Sequence, residues 1–167
     1  MDENQITRVC LEDPLVQPYY FGTIARDEIP IRWPKVGTYI MNSQIREKPG
    51  LHWLALSLGM EFPNRATYID SFGRPPSGDI ASSLVTQGFK VVYNDVVIQH
   101  PLSQSCGKIA LLFLKLWARG YNSVDIVSKF LYDPVSDPFK SEALAESVIA
   151  KTSTLKKGRI VASLNIK

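Results

Sequence analysis

The alternation of apolar and polar positions predicts strands in the middle of the chain and helices at either end. Near the start, Ile6, Val9 and Cys10 have helical spacing, and Pro14 ends that pattern. Three short runs rich in β-branched and aromatic residues follow, GTYIMNS, HWLALSLG and ATYIDSF, with turn residues between them. Sequential strands with short connections usually pair, so we expect three antiparallel neighbours.

The segments around these strands are less regular. PYYFGTIARDEIPIRWPKVG is rich in aromatic residues, proline and glycine, which predicts an extended segment crossing the core surface rather than a regular element. GRPPSGDIASSLVTQG predicts a helix that begins at Ser77 or Asp79 and closes at Gly88. KVVYNDVVIQ predicts a further strand that ends at Gln99.

The most apolar part of the chain is residues 107–119. Apolar side chains there cover most of a helix circumference, so we expect a central, buried helix that stops at Gly120. A second helix is predicted to start near Asn122 or Ser123, and a third after Pro138. The fold class predicted is α+β, a central mixed or antiparallel sheet flanked by helices.

Composition narrows the class of protein. With 167 residues, 45% of them hydrophobic and 21% charged, the chain fits one globular domain spanning 1–167. It has no apolar run near the roughly 20 residues of a membrane helix, and its start is acidic and polar, so we expect no membrane insertion and no secretion. Two cysteines are too few for a disulfide framework or a CxxC zinc site, which favours a reducing compartment. The net charge of +3 permits contact with nucleic acid without requiring it, and a basic tail is expected over 155–167.

The segment IQHPLSQSCGKIALLFLKLW carries the candidate chemistry, because it places Cys106 at the first turn of the buried helix. A helix N-terminus lowers the pKa of a thiol and so favours the nucleophilic thiolate. Gly107 removes a side chain that would crowd an approaching substrate backbone and leaves the Cys106 amide free to bind an oxyanion. A small buried core thiol is the competing interpretation.

Thiol catalysis requires a base, and the chain has only His52 and His100. We favour His52, because a strand fixes an imidazole better than a loop does. Asp70, after the next predicted strand, can reach the start of its antiparallel neighbour and orient the imidazole, although a turn-forming role competes. Gln99 and Gln104 are both candidates for an oxyanion donor, and spacing does not decide between them.

In chain order, GLHW, YIDSFG and QHPLSQSCG give His, Asp, Gln and Cys, and this order resembles the adenain family of adenovirus maturation proteases and its relatives, the SUMO-deconjugating cysteine proteases. The resemblance covers about residues 15–116. It implies that Cys106 is the nucleophile, His52 the base, Asp70 the orienting acid and Gln99 the oxyanion donor, through the pattern Q-x-P-x-S-x-x-C-G.

The same resemblance implies substrate contacts and partners. Trp53 matches a family position that packs beside the catalytic ring, and Gly50 falls where the substrate backbone passes. The implied protein is a monomeric thiol endopeptidase of a virus or transposon. It cleaves capsid or core precursors in the virion or the host cell interior, prefers small residues such as glycine near the cut, and requires neither a cofactor nor a metal.

Three features depart from adenain, and one of them is that the region after Leu116 does not visibly match it. Its acid is Glu where this chain has Asp70, as the SUMO proteases do, and either carboxylate can accept the imidazole N–H. Adenain is activated by a capsid-derived peptide joined through a disulfide, but GFKVVYNDVV contains no cysteine, so a peptide activator would have to bind without that bond. DNA stimulation through the basic tail and a merely solvated tail both stay open. Two alternative functions are a deconjugase of ubiquitin-like modifiers and an inert virion structural protein.

Overall fold

The computed structural model describes residues 1–48, 50–130 and 140–152, and they form a mixed five-stranded sheet flanked by helices. The helices are α1 (Glu3–Glu12), α2 (Gly78–Thr86), α3 (Cys106–Trp117), α4 (Ser123–Phe130) and α5 (Lys140–Thr152). The strands are β1 (Tyr20–Ile24), β2 (Gly37–Asn42), β3 (Trp53–Leu58), β4 (Arg65–Ile69) and β5 (Lys90–Tyr93), and a short 3-10 helix, Gln17–Tyr19, precedes β1. The predicted α+β class with a flanked central sheet is confirmed.

The sheet order is β1-β2-β3-β4-β5, so chain order and spatial order coincide. The three strands predicted as antiparallel neighbours are β2, β3 and β4, and both of their pairings are antiparallel. The outer pairings, β1 with β2 and β4 with β5, are parallel. Because parallel neighbours need a crossover, α2 connects β4 to β5.

Side chains from both faces of the sheet are buried. On one face, Ile40 and Ala55 pack in a core with α1, α3, α4 and α5. On the other face, Met41 and Leu56 pack with α2 and with Trp33 from the β1–β2 connection. Every residue of β2 is therefore buried, as expected of a strand that is covered on both sides.

Helix α3 is the central helix predicted from the sequence. Ten of its twelve residues are buried, and Gly120 follows in the left-handed region at φ 88°. Two cationic side chains at or just after its C-terminal end are also buried, Lys115 and Arg119. Nζ of Lys115 and Nη2 of Arg119 lie 2.6 Å and 3.0 Å from Oδ2 of Asp13. This ion cluster fixes the end of α3 to the residue that follows α1, because buried charges are stable only when they are paired.

Two predictions about regular structure are wrong. The segment expected to lack regular structure contains β1, whose pairing with β2 shifts register between Tyr20 and Gly22. The strand expected to end at Gln99 ends at Tyr93 instead. The next residue, Asn94, turns its side chain to the backbone of β4's end, so the chain leaves the sheet there and Gln99 lies in a loop. The predicted tail, 155–167, lies outside the described residues.

Candidate active site

The candidate site lies where β3, β4 and α3 meet. His52 directly precedes β3, Asp70 directly follows β4, and Cys106 is the first residue of α3. Because β3 and β4 are antiparallel, the start of one lies beside the end of the other, and this brings the histidine to the aspartate. The sequence positions predicted for these three residues are therefore neighbours in the fold.

His52 is hydrogen bonded to the carboxylate of Asp70. The Nε2 atom lies 2.7 Å from Oδ1, and both side chains are buried, with 9% and 4% of their surface exposed. The same Oδ1 accepts the backbone N–H of Phe72 at 2.8 Å. Since Asp70 occupies Nε2, the other ring nitrogen of His52 is left to interact with the thiol of Cys106, with which the ring makes a hydrogen bond.

The electrostatics of the site favour a thiolate beside an imidazolium. Burial alone lowers the pKa of His52, but hydrogen bonds and charges from Asp70 and Cys106 outweigh it and raise that pKa to about 9. Burial alone raises the pKa of Cys106. The hydrogen bond to His52, the backbone N–H groups of Trp53 and Gly107, and the charge of His52 together bring the pKa of the thiol below its usual value.

The other cysteine has the opposite environment. Cys10 is fully buried in α1, and burial raises the pKa of its thiol to about 12. It is therefore a core residue, as its place on the apolar face of the first helix indicates. His100, the second histidine, accepts the backbone N–H of Leu102 within its own turn.

Gln99 is held by the residue after Asp70. Its side-chain Oε1 accepts a hydrogen bond from the hydroxyl of Ser71 at 2.6 Å, and its Nε2 donates to the carbonyl of Ser103 at 2.7 Å. Gln99 is 1% exposed, whereas Gln104 is exposed to solvent, as expected for a residue facing outward. Of the two glutamines, Gln99 is the one joined to the end of β4.

Trp53 and Gly50 lie together beside the site. Both line a cavity of about 310 Å³ whose wall also includes residues from α1 and from the ends of β1 and β2. The indole N–H of Trp53 donates to the carbonyl of Met1 at 3.1 Å. The position of Gly50 leaves no room for a side chain, because a Cβ there would lie 2.2 Å from Nδ2 of Asn42.

Two expectations about neighbouring side chains change. The aromatic ring that stacks on His52 is Phe72, with centroids 4.8 Å apart, while Trp53 lies against α3. A Cβ at Gly107 would be 3.1 Å from the Trp53 ring. The missing side chain of Gly107 therefore makes room for this tryptophan rather than for a substrate backbone.

Sequence reasoning missed Asn94. Its Oδ1 accepts the backbone N–H of Asp70 at 2.9 Å, and its Nδ2 donates to the backbone carbonyl of Asp70 at 2.6 Å and to that of Val96 at 3.0 Å. Asn94 thus fixes the main chain that presents the carboxylate. The only sequence signal is an asparagine at the end of an apolar run, where it is typical of a turn.

This arrangement is suited to acyl transfer by a thiolate. It combines a nucleophile with a lowered pKa, a base within hydrogen-bonding reach and a carboxylate that orients the base. Among the described residues, no group of histidine, cysteine and carboxylate side chains is arranged to hold a metal ion. No helix in the described part of the chain is long and apolar enough to cross a membrane.

Comparison with solved structures shows that the chain has the fold of a protease. One matching structure is the crystal structure of ASFV pS273R protease, with a TM-score of 0.60 and 13% identity, and the match covers 91% of this chain and 65% of that one. A selenomethionine crystal structure of the same protease aligns with a TM-score of 0.42 and 17% identity over 73% of this chain and 44% of that one. The chain thus spans 65% of the length of the first of these structures. No protein-family model and no curated protein matches the sequence.

Proposed function

We propose that the protein is a cysteine endopeptidase, encoded by a virus or a transposon, that cleaves capsid or core precursors during particle maturation. The observation that carries the proposal is the buried series Cys106, His52 and Asp70 at the N-terminus of α3. The fold shared with ASFV pS273R protease supports a viral protease in particular.

In the proposed reaction the Cys106 thiolate attacks the scissile carbonyl carbon and forms a C–S bond. The resulting oxyanion is held by Gln99 and by the backbone N–H of Cys106, one of the first four amides of α3, which have no acceptor within the helix. The His52 imidazolium gives its proton to the leaving amine as the C–N bond breaks. Neutral His52 then takes a proton from water, which attacks the thioester; the C–S bond breaks, the acid is released, and the Cys106 thiolate is left beside the His52 imidazolium.

The substrate segment proposed to lie nearest the cut contains small residues, glycine above all. The enzyme is proposed to act as a monomer without a cofactor. DNA or a capsid-derived peptide would stimulate it without a disulfide.

The test is cleavage of the precursor proteins encoded beside this chain, with and without DNA, and mapping of the cuts by mass spectrometry. Cys106→Ala should abolish every cut and leave the fold intact, because Cys106 is only partly buried. Cys10→Ala is the matched control: it removes the other thiol, from the core, and should lower the free energy of unfolding while the cuts persist. Normal processing by Cys106→Ala would refute the assignment.

Two reagents separate the alternative functions. A ubiquitin-like protein with a C-terminal vinyl sulfone would label Cys106 of a deconjugase, and such labelling without precursor cleavage would replace the proposal. Iodoacetamide titration from pH 5 to 8 distinguishes an inert virion protein, whose Cys106 would react no faster than an ordinary thiol. A fast reaction at pH 6 is the result that the lowered pKa of Cys106 predicts.

A further inference from the structure

We infer that Ser71 is a positioning residue that fixes the orientation of the Gln99 side-chain amide, so that an N–H of that amide is directed at the oxyanion. The inference rests on the proposed function and deepens it. It assigns a role to the residue that follows the acid, for which the sequence pattern provides no hypothesis.

Ser71 contacts the glutamine segment through both its main chain and its side chain. Its carbonyl accepts the backbone N–H groups of Ile98 at 2.9 Å and of Gln99 at 3.1 Å. Its hydroxyl donates to Oε1 of Gln99 at 2.6 Å. Ser71 and Gln99 are 2% and 1% exposed, so water does not compete freely for these groups.

The second contact of the Gln99 amide, with Ser103, requires the same orientation as the contact with Ser71. Nε2 of Gln99 donates to the backbone carbonyl of Ser103 at 2.7 Å. A carbonyl oxygen accepts hydrogen bonds only, so the nitrogen end of the amide must face Ser103 and the oxygen end must face Ser71. With one N–H bonded to Ser103, the second N–H of Gln99 is the donor available to a substrate oxyanion.

Without the hydroxyl of Ser71, Oε1 of Gln99 would be a buried acceptor with no donor opposite it. An unsatisfied buried acceptor is costly, so the amide would rotate toward another donor and carry its second N–H away from the reacting carbon. The loss would fall on the step in which the oxyanion forms rather than on substrate binding.

The position of Ser71 in the chain links this effect to the base. Asp70 and Ser71 are successive residues at the end of β4, and one holds His52 while the other holds Gln99. From Ser103 the contacts continue to Ser105, whose hydroxyl lies 2.7 Å from that of Ser103. Ser105 directly precedes α3, so the polar contacts that begin at Ser71 end beside the nucleophile.

The experiment measures kcat and KM of the full chain on a fluorogenic peptide that spans a mapped precursor cut. Ser71→Ala should lower kcat by about tenfold to 100-fold and leave KM within about twofold, because complete loss of one oxyanion donor costs about 100-fold to 1000-fold. Ser71→Thr keeps the hydroxyl and should recover most of kcat. Ser57→Ala is the matched control, since Ser57 is equally buried but lies toward the far end of β3, and it should leave kcat unchanged.

A double-mutant cycle shows whether Ser71 acts through Gln99. In a Gln99→Ala background, Ser71→Ala should change kcat by less than about twofold, because the amide that it orients is gone. An equal fall in kcat in both backgrounds, or a Ser71→Ala variant as active as the original chain, overturns the inference while the protease proposal stands. If the original chain cuts no precursor, the proposed function fails first and the inference fails with it.

Discussion

Replacing Asp70 with asparagine should remove the negative charge of this residue while keeping its hydrogen bonds. Among the described residues, both hydrogen bonds of the Asp70 side chain use Oδ1, which accepts from His52 and from the backbone N–H of Phe72. Because Phe72 donates, an oxygen must stay at that position, and Asn has one to offer. Asp70→Asn therefore keeps both hydrogen bonds and removes only the negative charge.

The magnitude follows from the pKa of His52, which the folded protein raises from 6.5 to about 9. A shift of that size corresponds to about 3 kcal/mol in favour of the imidazolium, at about 1.4 kcal/mol for each pKa unit. Asp70 shares that effect with Cys106, while burial opposes it. We expect the variant to lower the pKa of His52 by at least about one unit, which is about 1.4 kcal/mol.

The assay is the rate of Cys106 alkylation by iodoacetamide as a function of pH. At pH 6.5 the variant should react more slowly, because without the Asp70 charge the imidazolium is less favoured and the thiolate beside it loses stabilisation. At pH 9.5 the two rates should agree within about threefold, because an ordinary thiol ionises there without help. Cys10→Ala in both backgrounds leaves Cys106 as the one thiol that reacts. Identical pH profiles for variant and original chain would refute the role given to the Asp70 charge.

The imidazolium also makes a pH-dependent contribution to stability. Because the pKa of His52 is higher in the folded chain, this contribution is fully present below pH 6.5 and is lost as the pH rises through about 9. Urea unfolding should therefore show Asp70→Asn to be less stable than the original chain at pH 6, and the difference should shrink at pH 9.5. A difference that grows with pH would contradict the assignment.

Three further predictions concern the same site and the core. The value of kcat/KM should rise with pH as Cys106 ionises, at a pH below the usual pKa of a thiol, and should fall near pH 9 as His52 loses its proton. A single rise centred near pH 8.5 would contradict the pairing of a Cys106 thiolate with a His52 imidazolium. Asn94→Ala should lower the free energy of unfolding in urea by about 1–3 kcal/mol and slow the alkylation of Cys106 at pH 6.5, because it leaves the backbone groups of Asp70 without partners. If neither value changes, Asn94 does not hold the main chain of Asp70 in place. Asp13→Ala should destabilise the fold by about 3–5 kcal/mol, because two buried cations lose their carboxylate, and a loss below about 1 kcal/mol would contradict this. Burial raises the pKa of Asp13, but hydrogen bonds and the two cations outweigh it and hold that pKa below its usual range. The stability that Asp13 confers is therefore present at neutral pH and is lost as the pH falls through the lowered pKa.

The strands and helices that local sequence could predict are those whose pattern is continuous. Each of β2, β3 and β4 is a run of β-branched and aromatic residues closed by turn residues, and α3 is apolar on nearly every side. The contact between His52 and Asp70 followed from the same pattern, since antiparallel neighbours place the start of one strand at the end of the other.

The features that sequence reasoning missed depend on contacts between distant segments. A glycine within β1 and prolines near it obscure the strand pattern in the sequence, and the segment forms a strand because it pairs with β2. Asn94 and Asp70 are 24 positions apart, and Asp13 lies 102 positions from Lys115. The pattern of apolar and polar residues within a short stretch of sequence cannot predict contacts between residues so far apart in the chain. The place of Gln99 was misjudged for the same reason, because Asn94 ends the strand by bonding to another segment.

The burial of α3 has a consequence for the life of the chain before it is folded. Cys106 gains its low pKa only when α3 docks on the sheet beside His52, and the docked helix is almost wholly inside the core. A nascent or partly folded chain therefore carries two ordinary, weakly reactive thiols. Under the proposed function, cutting would therefore begin only after α3 has docked on the sheet.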